Sequence, residues 1–109
     1  MDNLVEEKIR YNLLFDLYGS LFTDKQREYF AYSYSEDYSL SEIADLFKVS
    51  RNAVYDQIKI VCARLDEYEE KLGLLKQKNQ LTDLAKQIRT LYPDDAKLMA
   101  IADKIEKTE

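Results

Sequence analysis

The sequence predicts an all-α protein, and three observations carry that prediction. Glycine and proline are almost missing: Gly19, Gly73 and Pro93 are the whole complement in 109 residues. A sheet protein needs many turn residues, whereas helices joined by polar caps need few. Capping signatures stand at Thr23-Asp24-Lys25-Gln26 and Ser39-Leu40-Ser41-Glu42, where a hydroxyl residue is followed three positions on by Gln or Glu. Apolar residues from position 58 onward keep a heptad, the spacing of a helix and not of a strand.

Element by element, the first helix is expected from about Asn3 to Tyr18. Its second half, Tyr11 to Tyr18, is apolar on most of its circumference, which predicts burial on several sides. Either a second copy of the protein or the later helices of the same chain supply that cover. Thr23 caps the second helix, which carries Tyr29, Phe30, Tyr32 and Ser33 to a polar break at Ser35-Glu36-Asp37. Ser39 or Ser41 caps a short third helix through Ile43, Ala44, Leu46 and Phe47. Ser50 caps a fourth that runs at least to Leu72. Gly73 reads as a helix stop followed by the apolar Leu74. Against that stop, Ile58, Leu65 and Leu72 share one seam position and Val61, Tyr68 and Leu75 the other, with Asn79 in phase. The seam is either the inner face of the domain or an intermolecular coiled coil with a register-fixing asparagine. A helix from about Leu75 to Leu91 follows, then Tyr92-Pro93 as a break, then a last helix capped by Asp94. The expected division is a helix-turn-helix domain with its N-terminal helix over 1–74 and a C-terminal helical extension over 75–109.

Composition removes most chemistry. There is no histidine, hence no imidazole base and no His-bearing zinc site. Two glycines 54 positions apart form no phosphate-cradling loop. The expectation is a protein that is not an enzyme and needs no cofactor or metal. Cys62 is the single cysteine and builds no disulfide within one chain, which suits a reducing cytoplasm. No apolar run approaches a bilayer span, and Met1 to Lys8 lacks the basic-then-apolar order of a signal peptide.

The informative segment is Leu40 to Lys59. A helix-turn-helix needs a small residue where its helices cross, and Ala44 stands there; a tight turn four residues on, at Lys48; and an apolar plug, Val49. Val54 and Ile58 then show the inner face of the second helix. Lysine in place of the usual glycine at the turn predicts a left-handed residue strained by about 1 kcal/mol. With Ser50 capping, the helix end offers free N–H groups and a positive dipole to a phosphate. The outward residues Arg51, Asn52, Tyr55, Asp56 and Lys59 are the candidates to reach bases in a major groove. Arg51 suits guanine, Asn52 suits adenine, and Asp56 accepts from cytosine or orients Arg51. The same fold also serves as a scaffold for protein contact. Charge is thin but well placed: the chain carries −5 overall, whereas Lys48, Arg51, Lys59 and Arg64 against Asp45 and Asp56 leave residues 45–64 at +2.

From Leu21 to Leu72 the order of elements resembles region 4 of bacterial sigma factors, without the companion region that melts promoters. Five stretches, Leu14 to Tyr18, Leu21 to Gln26, Asp37 to Ala44, Val49 to Lys59 and Tyr68 to Leu74, resemble the YlxM family of small bacterial helix-turn-helix proteins associated with the signal recognition particle. Asn52 stands where that pattern has glutamine and Phe22 where it has leucine. The resemblance implies a regulatory protein binding DNA or the particle's RNA, or an accessory factor that binds the particle's GTPase. A homodimer or higher homo-oligomer is expected from the Tyr11–Tyr18 stretch and the heptad.

Overall fold

The structure is a computed structural model that describes residues 2–107. It is all-α, with six helices and no strand among the described residues: α1 (Asp2–Tyr18), α2 (Asp24–Phe30), α3 (Leu40–Phe47), α4 (Arg51–Leu72), α5 (Leu74–Leu91) and α6 (Ala96–Glu106). The chain divides into two compact units, Met1–Leu72 and Gly73–Glu109.

In the first unit the capping boxes start their helices as the residues require. Thr23 Oγ1 accepts from the Gln26 N–H at 3.2 Å, and Gln26 Oε1 accepts from the Thr23 N–H at 3.1 Å. Of the two candidate serines, Ser39 is the cap of α3, accepting from the Glu42 N–H at 3.1 Å while the Glu42 carboxylate accepts from the Ser39 N–H at 2.9 Å. The backbone bond to Ser39, reinforced by its side chain, holds the Glu42 carboxyl below its usual range. Between these helices α2 does not simply stop. It widens into a π-helical turn, Ala31–Ser35, closed by the Glu36 N–H on the Ala31 carbonyl at 3.1 Å. Asp37 then takes a left-handed conformation, φ 59, which short polar side chains tolerate better than most.

The Tyr11–Tyr18 stretch finds its cover inside its own unit. Phe15 stacks on Phe30 at 4.3 Å between centroids, Phe30 stacks on Tyr34 at 4.4 Å, and Tyr11 meets Tyr34 edge-on at 5.9 Å. Tyr18 packs on Tyr68 of α4, and Leu14 and Tyr18 are fully buried. Offset and edge-on pairs of this kind each add about 0.5–1.5 kcal/mol beyond their burial. The tyrosine hydroxyls stay satisfied at the margin: Tyr11 donates to Asp66 at 2.7 Å and Tyr18 to Glu69 at 2.8 Å. Arg10 also reaches Asp66, at 2.6 Å, and Lys8 pairs with Asp37. Helix α4 is the spine of this unit, with α1, α2 and α3 packed against it.

Gly73 stands at φ 63 and ends α4. The heptad of positions 58–79 therefore does not form one continuous helix. Its first half is inner face, with Ile58, Val61 and Leu65 buried, and it breaks at the left-handed glycine. In the second unit α5 and α6 form an antiparallel hairpin around Ala85 and Ala102, both fully buried. The cap of α6 is Asp95 and not Asp94: the Asp95 carboxylate accepts from the N–H groups of Lys97 and Leu98 at 3.0 and 3.1 Å. Pro93 and Asp94 are taken up by a turn that the Asp95 N–H closes on the Tyr92 carbonyl at 3.2 Å. Asp95 is thus the first residue free to cap.

Ala44 is 6% exposed and lies in one core cluster with Tyr29, Ile43, Val54 and Ile58. Ala44→Leu overpacks that crossing and is expected to lose about 1–3 kcal/mol in chemical denaturation. Exposed Asp45→Ala is expected to stay within about 0.5 kcal/mol.

Candidate nucleic-acid interface

The geometry of the candidate site begins at the end of α3. Lys48 takes φ 57 and ψ 46, the left-handed conformation, with its N–H on the Ala44 carbonyl. The Val49 N–H returns to the same carbonyl at 3.0 Å. This pair of bonds is how a helix closes when the next residue must reverse direction. Val49 then drops its side chain onto the Tyr29–Ile43–Val54–Ile58 cluster, together with Leu40 and Phe47. Ser50 follows as the cap of α4, its Oγ accepting from the Ala53 N–H at 3.0 Å. Two aromatic contacts lock α3 against the turn from α2: Phe47 meets Tyr29 at 5.0 Å and Tyr32 at 5.7 Å, both edge-on.

With Val54, Ile58 and Val61 turned inward, the helical period places Asn52, Tyr55, Asp56 and Lys59 on the opposite face. All four are exposed, Tyr55 by half. Arg51, also exposed, begins the helix at the edge of that face. Lys59 leans over the Tyr55 ring at 6.0 Å, the reach of a cation–π contact one turn apart. Among the described residues no ion pair joins Asp56 to Arg51, so both are available to a ligand. The structure thus places all six sequence candidates, Ser50, Arg51, Asn52, Tyr55, Asp56 and Lys59, in the first turns of one helix.

One positioning contact was not visible in the sequence. The Gln26 amide donates to the Gln57 carbonyl oxygen at 3.2 Å. The residue that completes the cap of α2 therefore also braces the flank of α4. A polar side chain one place beyond an exposed Asp gives no periodic signal; only the packing of α2 on α4 reveals it.

The rest of α4 ties the candidate site to the body of the unit. Its thiol, Cys62, donates to the Tyr34 hydroxyl at 3.3 Å. Burial pushes the Cys62 thiol up, against the opposing effect of the Tyr34 hydrogen bond, so it is a packing residue and not a poised nucleophile. Among the described residues no cluster of His, Cys, Asp or Glu suits a metal ion, and no helix is long and apolar enough to cross a membrane.

The family model described as "Putative helix-turn-helix protein, YlxM / p13 like" matches residues 5–105. The chain belongs to the UPF0122 family. A UPF0122 protein of Lacticaseibacillus casei is 47% identical over 105 residues, covering 93% of each chain. One from Anoxybacillus flavithermus is 44% identical over 110 residues, covering 97% of this chain and all of its own. A third, from Bacillus pumilus, is 46% identical over 105 residues, covering 96% of each. The UPF0122 match extends through α5 and most of α6, well past the stretch whose resemblance was legible in single motifs.

The left-handed Lys48 makes the turn testable. Lys48→Gly removes the side-chain strain and is expected to hold or raise stability, by up to about 1 kcal/mol. Lys48→Val sets a β-branched residue there and is expected to lose more than about 1 kcal/mol. Equal thermal midpoints for the two variants would contradict the turn.

Proposed function

We propose that this UPF0122 protein is a nucleic-acid-binding regulatory protein of the cytoplasm that inserts the start of α4 into a groove. The observation that carries the reading is the exposed set Asn52, Tyr55, Asp56 and Lys59, with Arg51 at its edge, on a helix whose opposite face is fully committed to the core. Ser50 leaves that helix end capped and its remaining N–H groups directed outward, where backbone donors and the helix dipole favour a phosphate. Arg51 and Asn52 are residue types that read guanine and adenine, and Tyr55 has enough free ring to stack on a base or sugar. Residues 45–64, which span the turn and the start of α4, carry +2 on a chain of −5. Glu42 and Asp45, both exposed on α3, oppose phosphate and keep the electrostatic footprint small.

The resemblance to the YlxM family directs the choice of ligands to duplex DNA and to the signal recognition particle's RNA. It also supplies the rival reading, in which the fold is a scaffold that binds the particle's GTPase.

Binding measured over a tenfold salt range separates these readings. Engaging Lys48, Arg51, Lys59 and Arg64 on a duplex predicts a slope of log affinity against log salt of about −3 to −4 per motif. Lys59→Ala is expected to weaken all sequences alike and to flatten the slope by about 1. Asn52→Ala is expected to relax discrimination between sequences with the slope nearly unchanged. Absence of binding to either nucleic acid at low salt, with retained binding to the GTPase, would replace this reading by the scaffold.

A further inference from the structure

Gln26 is held at both ends of its side-chain amide, and that fixes which way Gln57 faces. A backbone N–H only donates, so the Gln26 atom that takes the Thr23 N–H at 3.1 Å is the carbonyl oxygen Oε1. The Gln26 Nε2 is then the end that reaches α4, and an amide nitrogen also only donates. The Gln57 atom that meets it at 3.2 Å is therefore the carbonyl oxygen Oε1. One backbone N–H at a helix cap thus orders both amides. With its oxygen turned to α2, Gln57 has its two N–H groups turned away from α2, and among the described residues no acceptor takes them.

The helical period says what those donors face. Counted round α4 from Asn52 at about 100° per residue, Lys59 lies within about 20°, and Tyr55 and Asp56 within about 60°. The buried Val54, Ile58, Val61 and Leu65 gather at about 180–240°. Gln57 stands between, at about 140°, on a flank shared with Arg64 at about 120°; Arg51 stands on the opposite flank, at about −100°. A helix with its side chains is about 10–12 Å across, and the major groove of B-form DNA is about 12 Å wide. A helix that points Asn52 and Lys59 at the groove floor therefore sets its two flanks against the two phosphate backbones. The Gln57 flank suits an anion. Lys25, next to Gln26, and Arg64, two turns on from Gln57, are both exposed, and among the described residues neither is in an ion pair. Asp24 at the same corner is paired with Arg27 at 2.7 Å.

We propose, on the reading of α4 as a groove-binding helix, that the Gln57 amide donates to a backbone phosphate oxygen of duplex DNA, and that Gln26 is the positioning residue that turns it outward. The duplex is B-form DNA, because the major groove of A-form RNA is too deep and narrow for side chains to read. A phosphate oxygen only accepts, which matches an amide whose donors alone are free. Reading adenine with a glutamine takes both ends of the amide, and the acceptor end of Gln57 is turned to α2. The contact is uncharged on the protein side, so it adds affinity without releasing a counterion and acts alike on every sequence.

The test is binding of the full chain to several DNA duplexes over a tenfold salt range, with circular dichroism as the check on folding. Gln57→Met, similar in length, is expected to weaken every duplex about tenfold, the size of one hydrogen bond to a charged group, with the slope of log affinity against log salt unchanged. Gln57→Glu still accepts from the Gln26 amide but turns a carboxylate to the phosphate, and is expected to lose more. Gln26→Glu still completes the cap but lets the Gln57 amide turn back to donate to it. Its loss is expected to overlap that of Gln57→Met, so that the double variant falls short of the two losses combined. Additive losses would overturn the positioning role. Wild-type affinity in Gln57→Met, or a loss confined to some sequences, would overturn the phosphate contact while leaving the groove reading to Arg51 and Lys59. If Gln57→Met loses helix content, Gln57→Glu decides alone, and wild-type affinity there overturns the contact. A wild type that binds no DNA duplex, or binds RNA more tightly, overturns the groove reading itself and this contact with it.

Discussion

Lys48 stands left-handed between α3 and α4, at φ 57 and ψ 46, and the direction of α4 depends on it. A right-handed residue there would continue α3 into solvent. The left-handed one folds the chain back, so that Val49 reaches the cluster of Tyr29, Ile43, Val54 and Ile58 and Ser50 arrives where it can cap. The Ala44 carbonyl takes both N–H groups of the reversal, and the alanine's small side chain lets the two helices approach. A strain of about 1 kcal/mol at one residue is offset by burial of the plug and by the cap, each of similar size.

The aromatic residues decide how α4 is held from the other side. Phe15, Phe30 and Tyr34 stack in series, and Tyr18 and Phe22 both meet Tyr68. Tyrosine serves better than phenylalanine at the margins because its ring packs inward while its hydroxyl finds Asp66 or Glu69. Those carboxylates belong to the acidic stretch 66–70, which lies well along α4 from the exposed start of the helix. The acidic stretch 66–70 is thus separated along a single helix from the start of α4, where Asp56 balances Lys59 and Arg51 at the edge adds one positive group.

Local rules in the sequence were enough for the elements and for the candidate face. Thr23 with Gln26, Ser39 with Glu42, and Ser50 act on neighbours within three residues, so their effect is legible without a fold. The same holds for the small Ala44 and for Gly73 as a stop. The misreadings arise where a distant or competing contact decides. Asp94 looks as good a cap as Asp95 until the Pro93 turn takes it up. The heptad across 58–79 leaves a coiled coil open as the alternative to the Gly73 stop, and the positive φ at Gly73 decides for the stop. The sequence leaves the cover of Tyr11–Tyr18 open between a second copy and the same chain because rings 15 to 50 positions apart leave no periodic trace. The Gln26–Gln57 brace was missed for the same reason.

The start of α4, held in place by the Lys48 turn, is the surface proposed to meet a nucleic acid. The most direct measurement is amide and side-chain NMR of the labelled chain titrated with duplex DNA and, separately, with the particle's RNA. The account predicts that shifts concentrate at residues 48–59, the Arg51 and Asn52 side-chain resonances among them, while Val61 and Leu65 on the buried side of the same helix stay still. Shifts that spare Arg51 to Lys59 and gather on another helix would contradict it.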